Sequence, residues 1–207
     1  MEQPCCPENS SNLMDMLENI QPYKIILASK SPRRKQLLEE LGITFEVKTL
    51  DVDEVYPEGM PIETIPAFLA ELKAQPFEKE LEDNTLVITA DTIVCCDHHV
   101  LGKPANYEEA FHMLKLLSGR KHQVATGVCI LTTKKKKTFT ATSDVFFKEL
   151  ANEEIDYYIT NFRPFDKAGA YGIQEWIGYI AVERIEGSYF NVMGLPVQRL
   201  YEELCKF

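Results

Sequence analysis

The sequence has no long apolar run. No segment approaches the roughly 18 consecutive apolar residues that a membrane-spanning helix needs. The N-terminus lacks the basic stretch followed by an apolar one that marks a secretory signal. Positive charge is in short supply, with 22 Lys and Arg against 32 Asp and Glu and a formal net charge of −10. A field of that sign repels nucleic acid and anionic membrane, so any anion site must be local. Also missing are a Gly-x-Ser-x-Gly elbow, a Walker A loop and a dinucleotide-binding glycine fingerprint, which disfavours the enzyme classes they mark. Cysteine is not scarce, at six, but Cys5-Cys6 and Cys95-Cys96 are adjacent pairs while Cys129 and Cys205 are scattered. In a chain of this size without a signal, that usage reads as reduced thiols in the cytoplasm.

What is present suits an ordinary globular fold. The 207 residues, 45% hydrophobic and 26% charged, are enough for one domain or two small lobes around a sizeable core. Residues 1–22 read as an N-terminal extension, without periodicity except for "NLMDMLENI", a short helix with Ser11 as its cap. The body, residues 23–207, alternates apolar β-branched runs with helical patterns. Strands are expected at "YKIILAS", "FEVKTL", "TLVITADTIVCC", "HQVATGVCILTT", "TFTATSDVFFKEL" and "YIAVERIEG". Helices are expected after Ser31, over "IETIPAFLAELKAQPF", over "ANYEEAFHMLKLLSG", from an Asn152 cap over "NEEIDYYITNF", and over "LPVQRLYEELCKF". This alternation is that of an α/β protein with a mixed sheet. The tetralysine between the two hairpin strands reads as a solvated tip rather than a nucleic-acid site.

Four stretches carry chemistry. In "ASKSPRRKQ" a strand runs into a helix whose cap is Ser31 and whose first residue is Pro32. Arg33 and Arg34 then stand where the helix dipole favours acids. Free N–H groups, the hydroxyls of Ser29 and Ser31, and two guanidinium forks suit phosphate oxygens; the alternative is a solvated basic turn. In "TADTIV", Asp91 ends an apolar run, where a carboxylate can hold a metal or activate water, or merely cap a turn. The loop "LDVDEVY" adds Asp51, Asp53 and Glu54, and Mg²⁺ typically takes one or two carboxylates plus substrate phosphates. In "DKAGAYGIQ" small residues allow close backbone approach, Lys167 offers a phosphate contact, and the Gln174 amide can read a base edge. "CCDHH" is rejected as a zinc signal, because neighbours on a strand point to opposite faces and zinc pairs usually have longer spacers.

Taken in order, "LASKSPRRKQLLEELGITFEV", "DVDE", "LAELKA", "ADTIV", "LGKP", "EEAFHMLKLLSGRKHQVATGV", "DKAGAYGIQ" and "EGSYFNVMGLPV" resemble the Maf family of nucleotide pyrophosphatases from about Tyr23 to the C-terminus. The resemblance implies a mixed, twisted sheet with flanking helices and two lobes around a central cleft, as in inosine triphosphatase-like folds. It implies metal-dependent hydrolysis of nucleoside triphosphates to monophosphate and pyrophosphate. "SPRR", "ADT" and "KAGAYGIQ" resemble the branch acting on dTTP and UTP. The 7-methyl-GTP branch has Trp in place of Arg33 and Gln in place of Thr92. By that likeness Asp91 is the proton acceptor, and Arg34, Thr92 and Gln174 govern specificity. Ser29, Ser31, Arg33, Arg34, Lys103 and Lys167 meet the phosphates, while Glu54 and Asp91 hold Mg²⁺ or Mn²⁺. The expected partner is the nucleotide substrate, without membrane or stable nucleic-acid complex, and a homodimer is compatible with the likeness. The rival readings are a nucleotide-binding regulator of cell division and a 7-methyl-GTP pyrophosphatase. The chain departs from the family where Phe162-Arg163-Pro164 replaces the usual Gly-Glu-Pro, and Thr89 replaces a usual Gly.

Overall fold

The computed structural model describes residues 17–207. The helix expected over residues 12–20 falls mostly outside them; its last residues, Glu18–Ile20, form one 3-10 turn. Leu17 and Ile20 are buried, and Asn19 Nδ2 donates to the Leu204 carbonyl at 2.5 Å. The segment is thus fastened to the C-terminal helix.

The strands are β1 (Lys24–Leu27), β2 (Glu46–Val47), β3 (Thr85–Cys96), β4 (His99–Leu101), β5 (Lys121–Leu131), β6 (Lys136–Phe147) and β7 (Val182–Glu186). They form one sheet in the order β2-β1-β3-β5-β6-β7, with β4 paired to β3. The pairs β1–β2 and β1–β3 are parallel and the others antiparallel, so the sheet is mixed. The helices are α1 (Pro32–Glu40), α2 (Ile65–Glu78), α3 (Tyr107–Leu117), α4 (Asn152–Phe162), α5 (Trp176–Ala181), α6 (Tyr189–Met193) and α7 (Val197–Cys205).

Strand alternation divides the core in two. On β3, Val87 and Ile93 face α2, joining Leu69, Ala70, Ala74 and Phe77. Leu86, Ile88, Ala90 and Val94 face the larger core built with α1, α3, α4 and α7. Each fully buried Val, Leu or Ile side chain contributes roughly 1.5–3 kcal/mol, so a twelve-residue strand covered on both faces anchors the molecule. This explains why β3 reads as a continuous apolar run.

Several expectations shift. "FEVKTL" yields only the two-residue β2, both residues exposed, because little packs on it. "CCDHH" is a tight hairpin: Asp97 and His98 adopt positive φ and His99 begins β4. "YIAVERIEG" divides into helix and strand, because α5 buries Ile177 and Ala181 before β7 begins. A further helix, α6, is capped by Ser188. The cap of α4 is Ala151, not Asn152, because the Glu154 carboxylate accepts from the Ala151 N–H at 2.9 Å. In the tetralysine, Lys135 donates to the Lys206 carbonyl. Lys136 pairs with Glu78 and Lys137 with Glu203. The tip is tied down by the protein's own acceptors. No helix among the described residues is long and apolar enough to cross a membrane.

Candidate active site

The cleft originates in unequal strand lengths. The four-residue β1 pairs with Thr85–Ile88 of β3, and β4 pairs with Val94–Cys96 on the same strand. Between them, residues 89–93 have an open edge, and a cleft of about 490 Å³ lies there. At this notch side chains from both faces of the sheet border one space. Asp91, on the α2 face, and Thr92, on the α1 face, therefore meet the same cleft. Six cations and four carboxylates line it, a local positive surplus in a chain of net −10.

One pole is ionic. Asp91 is 7% exposed, and its Oδ1 takes the Lys73 ammonium at 2.6 Å. The same ammonium reaches Glu54 Oε1 at 3.0 Å. Lys73 sits on the buried stripe of α2, one helical turn from both Leu69 and Phe77. It reaches Asp91 because α2 lies directly on the sheet. Gly127, opposite Asp91 in the β3–β5 register, would place a Cβ 2.1 Å from the Pro66 carbonyl carbon. Only glycine admits the helix at this distance. Thr89 adds a second fastening, its hydroxyl donating to the Ala70 carbonyl at 2.5 Å. Glycine at that position would leave this bond unmade.

The second pole is built from hydrogen bonds of one guanidinium to uncharged acceptors. Ser31 caps α1 and accepts from the Arg34 N–H, while Ser29 Oγ accepts from the Ser31 N–H at 3.2 Å. Arg34 is buried. Its Nε donates to the Gly194 carbonyl at 2.8 Å, Nη1 to the Ala90 carbonyl at 2.9 Å, and Nη2 to Thr92 Oγ1 at 3.0 Å. Nη1 also contacts Ser29 Oγ at 3.4 Å. Burial pulls the Arg34 pKa down, and the charge of Asp91 pushes it back. Thr92 Oγ1 lies 2.9 Å from Thr126 Oγ1, whose hydroxyl donates to the Asn191 carbonyl at 3.1 Å. Asn191 is wholly buried and donates to Val124 O and Ser143 Oγ. Arg34 thus joins α1, the open edge of β3 and the loop after α6, with few N–H groups to spare for a ligand.

The far wall carries "DKAGAYGIQ". Lys167 is buried between Asp166 at 2.7 Å and Glu175 at 3.0 Å, and Arg33 pairs with Asp166 at 3.1 Å. Gln174 borders the cleft with its Oε1 buried and unpartnered. Such an acceptor is costly unless something else satisfies it. Beneath the loop, Tyr171 Oη lies 2.8 Å from His122 Nε2. Burial pulls His122 down to about 4, against the opposing charge of Asp144. Lys103 lines the cleft at its exposed rim and makes no ion pair with a described residue.

All of the expected site residues, Ser29, Ser31, Arg33, Arg34, Glu54, Asp91, Thr92, Lys103, Lys167 and Gln174, border one cleft. Among the described residues no group of three or more His, Cys, Asp or Glu could hold a metal. Glu54 and Asp91 fit a divalent cation only in the substrate-assisted manner, two carboxylate oxygens completed by phosphates. Lys73, Asp166, Glu175 and Tyr158 were not singled out from sequence. The available signal for Lys73 was a cation on the apolar stripe of an amphipathic helix. Asp166 heads the "DKAGAYGIQ" stretch, while nothing local marked Glu175 or Tyr158.

The geometry defines an α/β protein whose cleft, notched into a mixed sheet, suits an anionic ligand with a hydrogen-bonding end. The chain belongs to the Maf family: residues 24–207 match the family model described as Maf-like protein. It is similar to the dTTP/UTP pyrophosphatase of Phocaeicola vulgatus, 57% identical over 92% of this chain and 100% of that one. Those of Parabacteroides distasonis and Porphyromonas gingivalis, named alike, are 55% and 54% identical over 93% of this chain and 100% and 98% of theirs. The Staphylococcus aureus Ham1 protein superimposes with a TM-score of 0.48 at 17% identity, covering 87% of this chain and 97% of that one. That likeness is too loose to bear on function.

Proposed function

We propose that this chain hydrolyses dTTP and UTP, together with modified pyrimidine nucleoside triphosphates, to the monophosphate and pyrophosphate. Such an activity limits entry of these nucleotides into nucleic acid. One observation carries the reading: Asp91 and Thr92, on opposite faces of one strand, border the same cleft with Arg33, Lys103 and Gln174. A triphosphate laid along this cleft has its phosphates between the α1 turn and Lys103, and its base at Gln174. The curated relatives carry that activity in their names.

Asp91 orients a water toward the α-phosphorus and takes its proton. Lys73 engages Oδ1, leaving Oδ2 to receive it. The new O–P bond forms as the bond to the β-phosphate bridging oxygen breaks, and pyrophosphate leaves. Ser29, Ser31, Arg33, Lys103 and Lys167 orient and neutralise the phosphates, so positioning and charge supply most of the catalysis. Glu54 and Asp91 are the residues to hold Mg²⁺ or Mn²⁺, whose chemistry is neutralisation of phosphate oxygens. Gln174 reads the pyrimidine edge, and Arg34 with Thr92 sets the wall against which the base fits. A wrong base leaves buried polar groups unpaired, which is strongly discriminating. Arg34 acts here as a frame more than as a phosphate ligand.

We place the activity in the cytoplasm, on free nucleotides and not on polymer, in keeping with the net charge of −10; a homodimer belongs to the same reading. The test is pyrophosphate release across a panel of nucleoside triphosphates with and without Mg²⁺. Release from dTTP and UTP, dependent on the metal, is expected. Release from none, or preferential turnover of 7-methyl-GTP, would overturn the reading.

A further inference from the structure

A continuous set of contacts runs along the far wall of the cleft. Arg33 meets Asp166, Asp166 meets Lys167, and Lys167 meets Glu175 Oε1 at 3.0 Å. The other oxygen of Glu175 accepts a short hydrogen bond from the Tyr158 hydroxyl. That hydroxyl in turn accepts from the Gly172 N–H at 3.0 Å. Tyr158 projects from α4 and is wholly buried. Burial and the adjacent carboxylate push its pKa far above the ordinary value, so it remains a donor. A Cβ at Gly172 would lie 2.9 Å from Glu175 Cδ and 3.0 Å from Lys167 Cε, so the loop closes over this pair without slack.

Gln174 lies between the two points thus held, Gly172 and Glu175. Its Oε1 is buried and has no partner in the protein, so no side-chain bond to that oxygen sets its direction. The backbone must do so. We infer that Tyr158 and Glu175 form a clamp that positions Gln174 for the base and Lys167 beside it. They are positioning residues, neither of which borders the cleft itself. The inference rests on the reading above in which Gln174 contacts the pyrimidine. Glu175 also offsets part of the Lys167 charge, which makes that ammonium an oriented hydrogen-bond donor more than a bare charge.

The test compares wild type, Tyr158→Phe, Glu175→Ala and the double variant. Binding is measured by calorimetry with the hydrolysis-resistant α,β-imido analogues of UTP and GTP, alongside kcat and KM for dTTP. The phenylalanine keeps the ring and loses only the hydroxyl. Each single variant is expected to bind the UTP analogue roughly tenfold more weakly, as for loss of a buried hydrogen bond. Binding of the GTP analogue weakens less, through the shared Lys167 contact alone, so the UTP-to-GTP ratio falls, and KM rises in step while kcat stays within about twofold. The double variant is no worse than either single one, since one clamp is removed once. An unchanged UTP-to-GTP binding ratio, a fall in kcat at constant KM, or losses that add independently would overturn the clamp. Glu175 is only partly buried, so its variant reports even where Tyr158→Phe unfolds. Absence of pyrophosphate release by wild type would instead refute the functional reading, which separates the two failures.

Discussion

The two ends of the cleft are built on opposite principles. At the Asp91 end, formal charges face each other: two carboxylates share the Lys73 ammonium. At the Thr92 end, a guanidinium is spent on carbonyls and hydroxyls, which run on through Thr126 to Asn191. The ends are one residue apart on β3 and on opposite faces of it. Charge can exchange partners when phosphates and a cation arrive, so the ionic end suits chemistry. Bonds from a guanidinium to fixed, uncharged acceptors that run on to buried Thr126 and Asn191 cannot be remade cheaply, so the other end suits discrimination of shape and hydrogen bonding.

The sharpest way to separate them is Asp91→Asn, which keeps the shape and removes the base. It is expected to lower kcat by roughly 10²- to 10⁴-fold with little change in KM, read by steady-state pyrophosphate release. Gly127→Ala attacks the scaffold beneath the same end. The added methyl meets the Pro66 backbone at 2.1 Å, and the thermal melt should show a loss of at least about 3 kcal/mol, the upper range for overpacking.

Acid should weaken the support of the far wall, where buried His122 meets Tyr171 beneath the loop that carries Gln174. Burial lowers the folded His122 pKa from 6.5 to about 4. Between those values the unfolded chain binds a proton that the folded protein refuses. Stability is therefore complete above about 6.5 and declines as pH falls toward about 4, by at most about 3 kcal/mol. His122→Gln retains a polar partner for Tyr171 and should flatten this part of the Tm-against-pH curve.

Thr92→Val removes the acceptor of Arg34 and the hydroxyl facing Thr126. Roughly tenfold loss of dTTP-over-GTP preference in kcat/KM, with kcat little changed, is expected from unpaired buried groups. An equal fall in kcat would erase the contrast between the ends. The smallest effect lies outside both. Arg163 caps α4 in the left-handed conformation at φ 46, and Arg163→Gly should raise stability by up to about 1 kcal/mol in a denaturant melt without touching activity. Arg163 is thus exposed at a helix end, and its backbone conformation is what the fold uses.

Legibility followed the range of the interactions. The α1 cap at Ser31 and the full extent of β3 could be read locally, because capping and apolar runs are properties of neighbouring residues. The return strand β4 after Asp97-His98 was hidden, because three residues are too few to show an alternation. The α5 helix was hidden by β-propensity in "YIAVERIEG", which burial of Ile177 and Ala181 overrode. At the site, the residues whose chemistry a local pattern suggests were legible, while Lys73, although inside "LAELKA", and Tyr158 acquire their roles only from partners on remote elements. Tyr158 meets Glu175 across 17 residues and Lys73 meets Asp91 across 18, and no local pattern announces either meeting.

By itself the sequence determined the alternation of strands and helices, the basic turn at Ser29–Arg34 and a carboxylate within an apolar strand, because propensity, capping and charge reside in adjacent residues; that Asp91 stands in mid-strand and not at its end came from the structure. The tertiary structure alone decided that β1 ends four residues before Thr92, so that both faces of β3 open into one cleft. It alone decided that Lys73 bridges Asp91 and Glu54 and that Arg34 frames the site. Those outcomes depend on strand register and on how closely α2 can approach Gly127, which are properties of packed surfaces and not of any stretch of chain.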